Sequence, residues 1–213
     1  MSGQDPIVFV VDDDRRVCEA ICDLLASVGV EAQAFGSVAE YVAFNRPDRP
    51  ACLILDVELP DISGLEFQKQ AVGAEHPPIV FITGHGDIPS TVRAMKGGAV
   101  DFLTKPFAEQ ALLDAIRSAI ATDKEAYRER AELAGLRTRL ASLTRREREV
   151  LPLVVSGLLN KQAAQELGIS ETTLEIHRGK IMRKMAAASL ADLVRIAAKL
   201  GVEVTHSRRT GTG

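Results

Sequence analysis

The first half of the chain alternates short apolar runs with longer stretches that have helical periodicity. The runs occupy residues 7–11, 31–35, 52–55, 79–82 and 102–104. Apolar runs of this length between helices are typical of strands buried on both faces of a parallel sheet. The pattern predicts an α/β fold with a doubly wound, five-stranded parallel sheet.

Four of the five runs end next to a reactive side chain. In chain order, the run ends supply Asp12 and Asp13, then Asp56, then Thr83, then Lys105. The carboxyl ends of parallel strands share one edge of a sheet, and open α/β sheets bind their ligands at that edge. We therefore expect these distant side chains to converge on one crevice.

The predicted crevice is suited to phosphoryl chemistry. Three crowded carboxylates repel one another and favour a hard divalent cation with oxygen ligands, for which Mg²⁺ is the candidate cofactor. With this repulsion offset, Asp56 can act as a nucleophile that forms an aspartyl-phosphate. Lys105 offers a positive charge and Thr83 a hydroxyl donor to the phosphoryl oxygens.

Each of these residues also has an ordinary structural interpretation. The acidic residues 12–14 are suited to an N-cap and first helical turn, and Asp56 is suited to capping a turn. Thr83 fits a turn, and Lys105 fits a solvated loop. Their joint occurrence at the ends of the runs is what favours a phosphorylation site.

Four motifs span the predicted strand ends: Val-Val-Asp-Asp at 10–13, Leu-Asp-Val-Glu-Leu-Pro-Asp-Ile-Ser-Gly at 55–64, Ile-Thr-Gly-His-Gly at 82–86 and Asp-Phe-Leu-Thr-Lys-Pro-Phe at 101–107. Through these motifs, residues 5–120 resemble the flavodoxin-like receiver domain of a two-component response regulator. The resemblance implies that a histidine kinase phosphorylates Asp56 and that Thr83 and Lys105 hold the phosphoryl group. The implied Mg²⁺ ligands are Asp13 and Asp56 directly, Asp12 mostly through water, and Glu58 through its backbone carbonyl.

The resemblance also implies a conformational switch and a cis bond between Lys105 and Pro106, which only a proline makes plausible. In the family, the hydroxyl at the Thr83 position moves toward the phosphate, and an aromatic side chain at the Phe102 position turns inward. Many relatives have tyrosine there, so Phe102 is a departure. An ordinary core role for Phe102 remains an alternative.

Length and charge indicate a second domain. The chain has 213 residues, which favours two cores. Residues 1–120 carry nine Lys and Arg against 18 Asp and Glu, whereas residues 121–213 carry 17 against 11. An acidic module is thus followed by a basic one, which suits a binder of the nucleic-acid backbone but also a merely soluble domain.

The basic module is predicted to be all-α, with four short helices in residues 143–204. A capping box at 144–147 begins the first helix. Asn160 is suited to cap a second helix at 161–167, Ser170 a third that ends near residue 186, and Ser189 a fourth. Only Gly168-Ile169-Ser170 separates the second and third helices. Such a short turn indicates a helix-turn-helix, whose second helix enters the DNA major groove.

Helical periodicity divides the third helix into two faces. Leu174, Ile181 and Met185 share the side that should pack inward. The opposite side is predicted to contact DNA, although a solvated face with one stray apolar residue is an alternative. The candidate DNA-binding residues are Lys161, Thr172, Thr173, Glu175, Ile176, Gly179, Lys180 and Arg183.

Three further segments carry a second resemblance. They are Leu-Thr-Arg-Arg-Glu-Arg-Glu-Val-Leu at 143–151, Asn-Lys-Gln-Ala-Ala-Gln-Glu-Leu-Gly-Ile-Ser at 160–170 and His-Arg-Gly-Lys-Ile-Met-Arg-Lys-Met at 177–185. Residues 143–201 resemble a LuxR-type helix-turn-helix, and the whole chain resembles the NarL/FixJ family of response regulators. Many relatives have lysine at the Glu175 position, so the base preference cannot be copied from them.

The stretch between the modules, residues 121–142, is predicted to be a helical linker that continues the last receiver helix. Leu133, Leu136, Leu140 and Leu143 have the spacing of a coiled-coil seam, although the run is short. Dimerisation and packing on the protein's own domains are both compatible with it. Residues 205–213 are predicted to be a disordered tail.

The sequence therefore predicts a cytoplasmic transcription factor, not an enzyme, that a histidine kinase controls through Asp56. Expected partners are the kinase, double-stranded DNA and a second copy of the chain, with RNA polymerase as a further candidate. No membrane segment is expected. A Mg²⁺-dependent phosphohydrolase and an RNA-binding or protein-docking output are the alternative functions.

Overall fold

The computed structural model describes residues 5–71 and 76–203, so the predicted tail at 205–213 lies outside the described residues. The chain divides into two compact units, residues 1–128 and 129–213. This division falls inside the predicted linker. No helix of the described part of the chain combines the length and apolarity needed to cross a bilayer.

The first unit contains a five-stranded sheet, as predicted. All neighbouring strands are parallel and follow the order β2-β1-β3-β4-β5. The strands are β1 (Ile7–Val11), β2 (Glu31–Phe35), β3 (Ala51–Asp56), β4 (Ile79–Thr83) and β5 (Asp101–Thr104). The three central strands are buried along their whole length, which explains their continuous apolar sequences.

Helices cover both faces of this sheet. They are α1 (Arg15–Ser27), α2 (Val38–Ala43), α3 (Gly64–Gln70), α4 (Ile88–Lys96) and the 33-residue α5 (Glu109–Ala141). Alternate strand residues point to opposite faces, so Val8 and Ile54 pack with α1 and α5 while Phe9 and Leu55 pack in a second core with Tyr41 of α2. The sheet is therefore packed on both faces, and its carboxyl edge is left for the loops that follow the strands.

The second unit contains the end of α5 and four helices. These are α6 (Arg145–Val155), α7 (Asn160–Leu167), α8 (Glu171–Met185) and α9 (Leu190–Lys199). Their shared core includes the three α8 residues predicted to face inward, all with 0% exposure: Leu174, Ile181 and Met185. The predicted fold class is therefore confirmed for both parts of the chain.

The helix caps agree with the sequence except at one position. Thr144 and Glu147 form the predicted capping box, and Ser170 and Ser189 cap α8 and α9. The prediction that Asn160 caps the second helix is wrong. Asn160 is the first residue of α7, and the Leu159 N–H is bound by Gln162 Oε1 instead. The asparagine side chain is thereby available for contacts with α8.

The leucines of the linker pack within the chain. Leu136 and Leu143 are 5% and 3% exposed, and Leu140 lies against the core of the second unit. Of the two interpretations of their spacing, the structure supports packing on the protein's own domains, because a seam between two copies would leave these side chains exposed in a single chain.

Candidate functional site

The carboxyl edge of the sheet holds a cluster of three carboxylates. Asp12 and Asp13 follow β1, and Asp56 is the last residue of β3. One carboxylate oxygen from each residue lies within 4.8 Å of the others. The cluster opens into a cavity of about 680 Å³ that Glu58 and Gly84 also line. The structure thus brings together residues that are far apart in the sequence.

Lys105 closes the cluster from the end of β5. Its Nζ lies 2.5 Å from Asp12 Oδ2 and 2.5 Å from Asp56 Oδ2. The two carboxylates are almost fully buried, with 1% and 5% exposure. The peptide bond from Lys105 to Pro106 is cis, as the resemblance implied. Lys105 is therefore a half-buried partner of both acids and not a solvated loop residue.

Burial and charge act against each other in this cluster. Burial raises the pKa of Asp12, and the hydrogen bonds from Lys105 and from the Asp14 N–H offset this rise only partly. Burial lowers the pKa of Lys105, but its hydrogen bonds to Asp12 and Asp56 outweigh that effect, so the pKa lies above its usual value. The ammonium group thus partly neutralises two acids that would otherwise repel each other.

The local sequence explains how the three acids after β1 divide their roles. Asp14 is the N-cap of α1, and its carboxylate accepts from the Arg16 N–H at 2.9 Å. All three acids line the cavity, but only Asp12 and Asp13, which precede the helix, form the carboxylate cluster with Asp56. The capping interpretation is therefore correct for Asp14, whereas Asp12 and Asp13 belong to the carboxylate cluster.

Gly64 lets α3 approach β3 closely, a role that the pattern of the sequence does not indicate. A Cβ at Gly64 would lie 2.3 Å from the Asp56 carbonyl oxygen, far inside van der Waals contact. The loop between β3 and α3 can therefore fold tightly over the cluster only with glycine at this position. The signal in the sequence was Gly64 at the start of a helix, where glycine has no intrinsic advantage.

Thr83 is beside the cavity but does not present its hydroxyl to it. The residue is fully buried at the end of β4. Its Oγ1 accepts from the His85 N–H at 3.1 Å and lies 3.3 Å from the His85 carbonyl. Phe102 is half-buried, with its ring centroid 6.2 Å from that of Phe81. Among the described residues, the Thr83 hydroxyl has hydrogen bonds with the His85 backbone and none with the acidic cluster.

His85 is a cavity residue that the sequence analysis did not select. It lines the cavity, and its Nδ1 lies 3.4 Å from Glu58 Oε1. Both side chains are mostly exposed, at 85% and 61%. The pair lies at the solvent side of the cavity, where water screens the contact and it contributes little to stability.

The donor set fits Mg²⁺. The ion is bound in proteins by one or more carboxylates together with waters and phosphate oxygens. The three clustered carboxylates supply oxygen only, and the described part of the cluster contains no thiol or imidazole ligand. Lys105, already bound to two of them, shows that the cluster requires positive charge. The acidic site is thus typical of Mg²⁺ binding.

The second candidate site is the outward face of α8. Ile176 is 53% exposed among polar neighbours, and Thr172, Gly179 and Arg183 on the same face are exposed as well. The other predicted contact residues are Lys161, Glu175 and Lys180, which are exposed, and Thr173, which is half-buried with its hydroxyl 2.8 Å from Ser170 Oγ. The left-handed Gly168 (φ 64°) ends α7 and makes the tight turn before α8.

One known family matches within each unit of the chain. Residues 8–117 match the response regulator receiver domain, and residues 141–197 match the bacterial regulatory proteins of the luxR family. Together these two matches cover most of the chain. The chain belongs to the NarL/FixJ family of two-component response regulators.

Relatives of this response regulator match it over nearly their whole length. Nodulation protein W of Bradyrhizobium diazoefficiens is 49% identical over 205 residues, which is 96% of this chain and 90% of that protein. The transcriptional regulatory protein FixJ of Azorhizobium caulinodans is 43% identical, covering 92% of this chain and 93% of that protein. The solved structure of the response regulator StyR has a TM-score of 0.81 at 48% identity, covering 92% of this chain and 99% of that chain.

The family assigns the response regulator its general function. A receiver domain implies a sensor kinase as partner, and a LuxR-type domain implies DNA binding and regulation of transcription. Since relatives such as FixJ are transcriptional regulators, the phosphohydrolase alternative gains no support.

Proposed function

We propose that a histidine kinase phosphorylates Asp56 in a Mg²⁺-dependent reaction and that the phosphorylated protein binds a specific DNA element through α8. The observation that carries the proposal is the double hydrogen bond of Lys105 to Asp12 and Asp56 within the acidic cluster. This arrangement supports the proposal because the carboxylate of Asp56, the ammonium group of Lys105 and further carboxylate oxygens lie in one cavity, which is what an aspartyl-phosphate mechanism requires.

The proposed transfer begins with an Asp56 carboxylate oxygen, which attacks the phosphorus of a phosphohistidine. The O–P bond forms while the N–P bond breaks, and the imidazole nitrogen takes the electron pair. Asp13 and Asp56 would hold Mg²⁺ directly, Asp12 mostly through water and Glu58 through its backbone carbonyl, and the ion would supply positive charge that offsets the phosphoryl oxygens. Water later cleaves the acyl phosphate, so the receiver promotes only its own phosphorylation and dephosphorylation.

Two residues must change partners during this reaction. Lys105 now donates to Asp56 Oδ2 and would transfer that hydrogen bond to a phosphoryl oxygen. The Thr83 hydroxyl now bonds with the His85 backbone and would turn to the phosphoryl group. Phe102 lies half-buried in the neighbouring strand, and we propose that it fills the space that Thr83 leaves.

We further propose how the modules act together. Residues 1–120 form the receiver, residues 121–142 the helical linker, and residues 143–204 the DNA-binding module. Phosphorylation promotes a homodimer that spans two half-sites, since one short recognition helix reads few base pairs. Because the target is DNA, the protein works in the cytoplasm, and RNA polymerase is a candidate contact at the promoter.

The phosphoacceptor is tested with a small acyl phosphate as donor. We expect the full-length protein to incorporate phosphate in the presence of Mg²⁺ and the Asp56→Asn variant to incorporate none. The matched control is Asp61→Asn, because Asp61 lies in the same loop but binds the Ala39 N–H of α2. Mobility on a phosphate-affinity gel distinguishes the species. Equal labelling of wild type and Asp56→Asn contradicts the proposal.

Dimerisation is tested by sedimentation with Mg²⁺ and beryllofluoride, which mimics the aspartyl-phosphate. We expect a monomer without the mimic and a dimer with it, either alone or on DNA. A protein that stays monomeric under all of these conditions contradicts the dimer proposal but leaves phosphorylation of Asp56 intact.

A further inference from the structure

One asparagine side chain connects the beginning of α7 to the flank of α8. Asn160 Nδ2 donates to Glu175 Oε1 at 3.2 Å, and Arg178 Nη1 donates to Asn160 Oδ1 at 2.5 Å. Only one orientation of the amide allows both bonds, because its nitrogen must face the carboxylate and its oxygen the guanidinium. The network therefore fixes the direction of the Glu175 side chain.

The network leaves one carboxylate oxygen of Glu175 available. Arg178 is half-buried, whereas Glu175 is exposed. Oε1 is bound by Asn160, and within the described part of the chain Oε2 has no hydrogen-bond or ion-pair partner. Glu175 is the fifth residue of α8 and precedes the exposed Ile176. The N-terminal part of a recognition helix is the part that reaches base edges in the major groove.

A carboxylate in this position discriminates strongly among bases because it can only accept hydrogen bonds. Guanine and thymine present acceptors in the major groove and repel it. Adenine presents a donor next to the N7 acceptor, so attraction and repulsion partly cancel. Cytosine presents the N4 amino group as a donor, and glutamate accepts from it.

We propose that Glu175 reads a cytosine in each half-site and that Asn160, anchored by Arg178, is its positioning residue. This inference rests on the proposed DNA-binding function. A free glutamate near DNA is repelled by the phosphates and must lose side-chain entropy to reach one base. The bond from Asn160 reduces this loss before DNA binds, so Oε2 is directed at the base edge and not at the backbone.

The test is a selection of duplex DNA from a random library by the full-length protein with Mg²⁺ and beryllofluoride. We expect the wild type to enrich cytosine at one position of each half-site. Glu175→Lys should change that position to guanine and Glu175→Gln should change it to adenine, since lysine pairs with guanine and glutamine with adenine. The remaining positions of the motif should stay the same.

Asn160→Ala separates positioning from structural support. We expect it to reduce the cytosine preference by about fivefold while the other positions keep theirs. Gln165→Ala is the matched control, because Gln165 is an exposed residue of the same helix. A uniform loss of affinity across all positions in Asn160→Ala would show a merely structural role and overturn the assignment of Asn160.

The outcomes also separate this inference from the proposed function. If wild type enriches a motif but the two Glu175 variants enrich the same base as wild type at every position, the assignment of Glu175 is wrong and DNA binding stands. If wild type enriches no motif at all, the proposed DNA-binding function is wrong, and the inference is wrong with it.

Discussion

The acidic cavity of the receiver and the outward face of α8 hold their functional groups in opposite environments. In the cavity, Asp12, Asp56 and Lys105 are buried or half-buried and bind one another. On α8, Lys180 and Arg183 are exposed, and no ion pair joins them to another described residue. Groups that contact each other in a low dielectric act as a unit, whereas solvated groups act separately.

A double-mutant cycle tests whether the charged groups of the cavity depend on one another, and we expect the largest effect there. Lys105→Met leaves buried carboxylates without their partner, and we expect a loss of about 3 kcal/mol in the free energy of unfolding. The same change should cost much less when Asp12→Asn has already removed one charge, with a coupling energy of roughly 1–3 kcal/mol. Urea unfolding followed by circular dichroism measures this, since the chain has no tryptophan. Additive effects would contradict mutual dependence in the cavity.

The second unit also contains an ion pair with a buried carboxylate. The difference between the two sites therefore lies in the burial of their charged groups and not in the domain that holds them. Glu147 is 2% exposed, binds Lys184 Nζ at 2.7 Å and closes the capping box with Thr144. The hydrogen bond from Lys184 is the largest of the causes that lower the Glu147 pKa, to about 2. We expect Glu147→Gln to destabilise the unit by about 1–3 kcal/mol at neutral pH, because glutamine keeps the capping bond and loses the charge.

The loss of stability caused by Glu147→Gln should depend on pH. The folded pKa lies below the ordinary value of 4.5, so the ionised glutamate stabilises the protein above that value. The stabilisation is lost as the pH falls from 4.5 toward 2. The difference in unfolding free energy between wild type and Glu147→Gln should therefore shrink across this range. Glu149→Gln is the control with a smaller effect, because it removes ion pairs with Arg145 and Arg146 that are more solvated than the pair of Glu147. A difference that is constant with pH would contradict the assignment.

The smallest effects are expected on α8. Lys180→Ala and Arg183→Ala should each weaken DNA binding by about threefold to tenfold and reduce the slope of log K against log salt by about one. The double variant should equal the sum of the two within about 0.5 kcal/mol. Fluorescence anisotropy with a selected site at several salt concentrations measures both quantities. Strong coupling between the two residues would show that the exposed face is as interdependent as the cavity.

Two kinds of feature could be predicted from the sequence: the residues at the strand ends and the caps of the helices. The apolar runs predict the parallel strands, and the ends of these strands meet at one edge of the sheet. The clustering of Asp12, Asp56 and Lys105 could therefore be predicted without knowledge of any side-chain contact. The starts of α6, α8 and α9 could be predicted from Thr144, Ser170 and Ser189, because a capping side chain binds backbone groups only a few residues away. In physical terms, these predictions required only backbone geometry and short-range chemistry.

The features that the sequence did not predict depend on side-chain contacts between elements. Asn160 fits a cap by local rules, but its bonds go to Glu175 and Arg178, 15 and 18 residues away. The hydrogen bonds of the Thr83 hydroxyl with the His85 backbone are a contact that the strand pattern does not indicate. Gly64 matters only because the Asp56 carbonyl lies where its Cβ would be. No pattern of period two or 3.6 encodes such contacts.

The central claim is that the chemical state of Asp56 controls DNA binding by α8. Its most direct test is the affinity of the full-length protein for a selected DNA site, measured with and without Mg²⁺ and beryllofluoride in wild type and Asp56→Asn. We predict that the treatment tightens binding of wild type by about tenfold or more and leaves Asp56→Asn unchanged. Equal affinities of treated and untreated wild type, or the same tightening in Asp56→Asn, would contradict the claim.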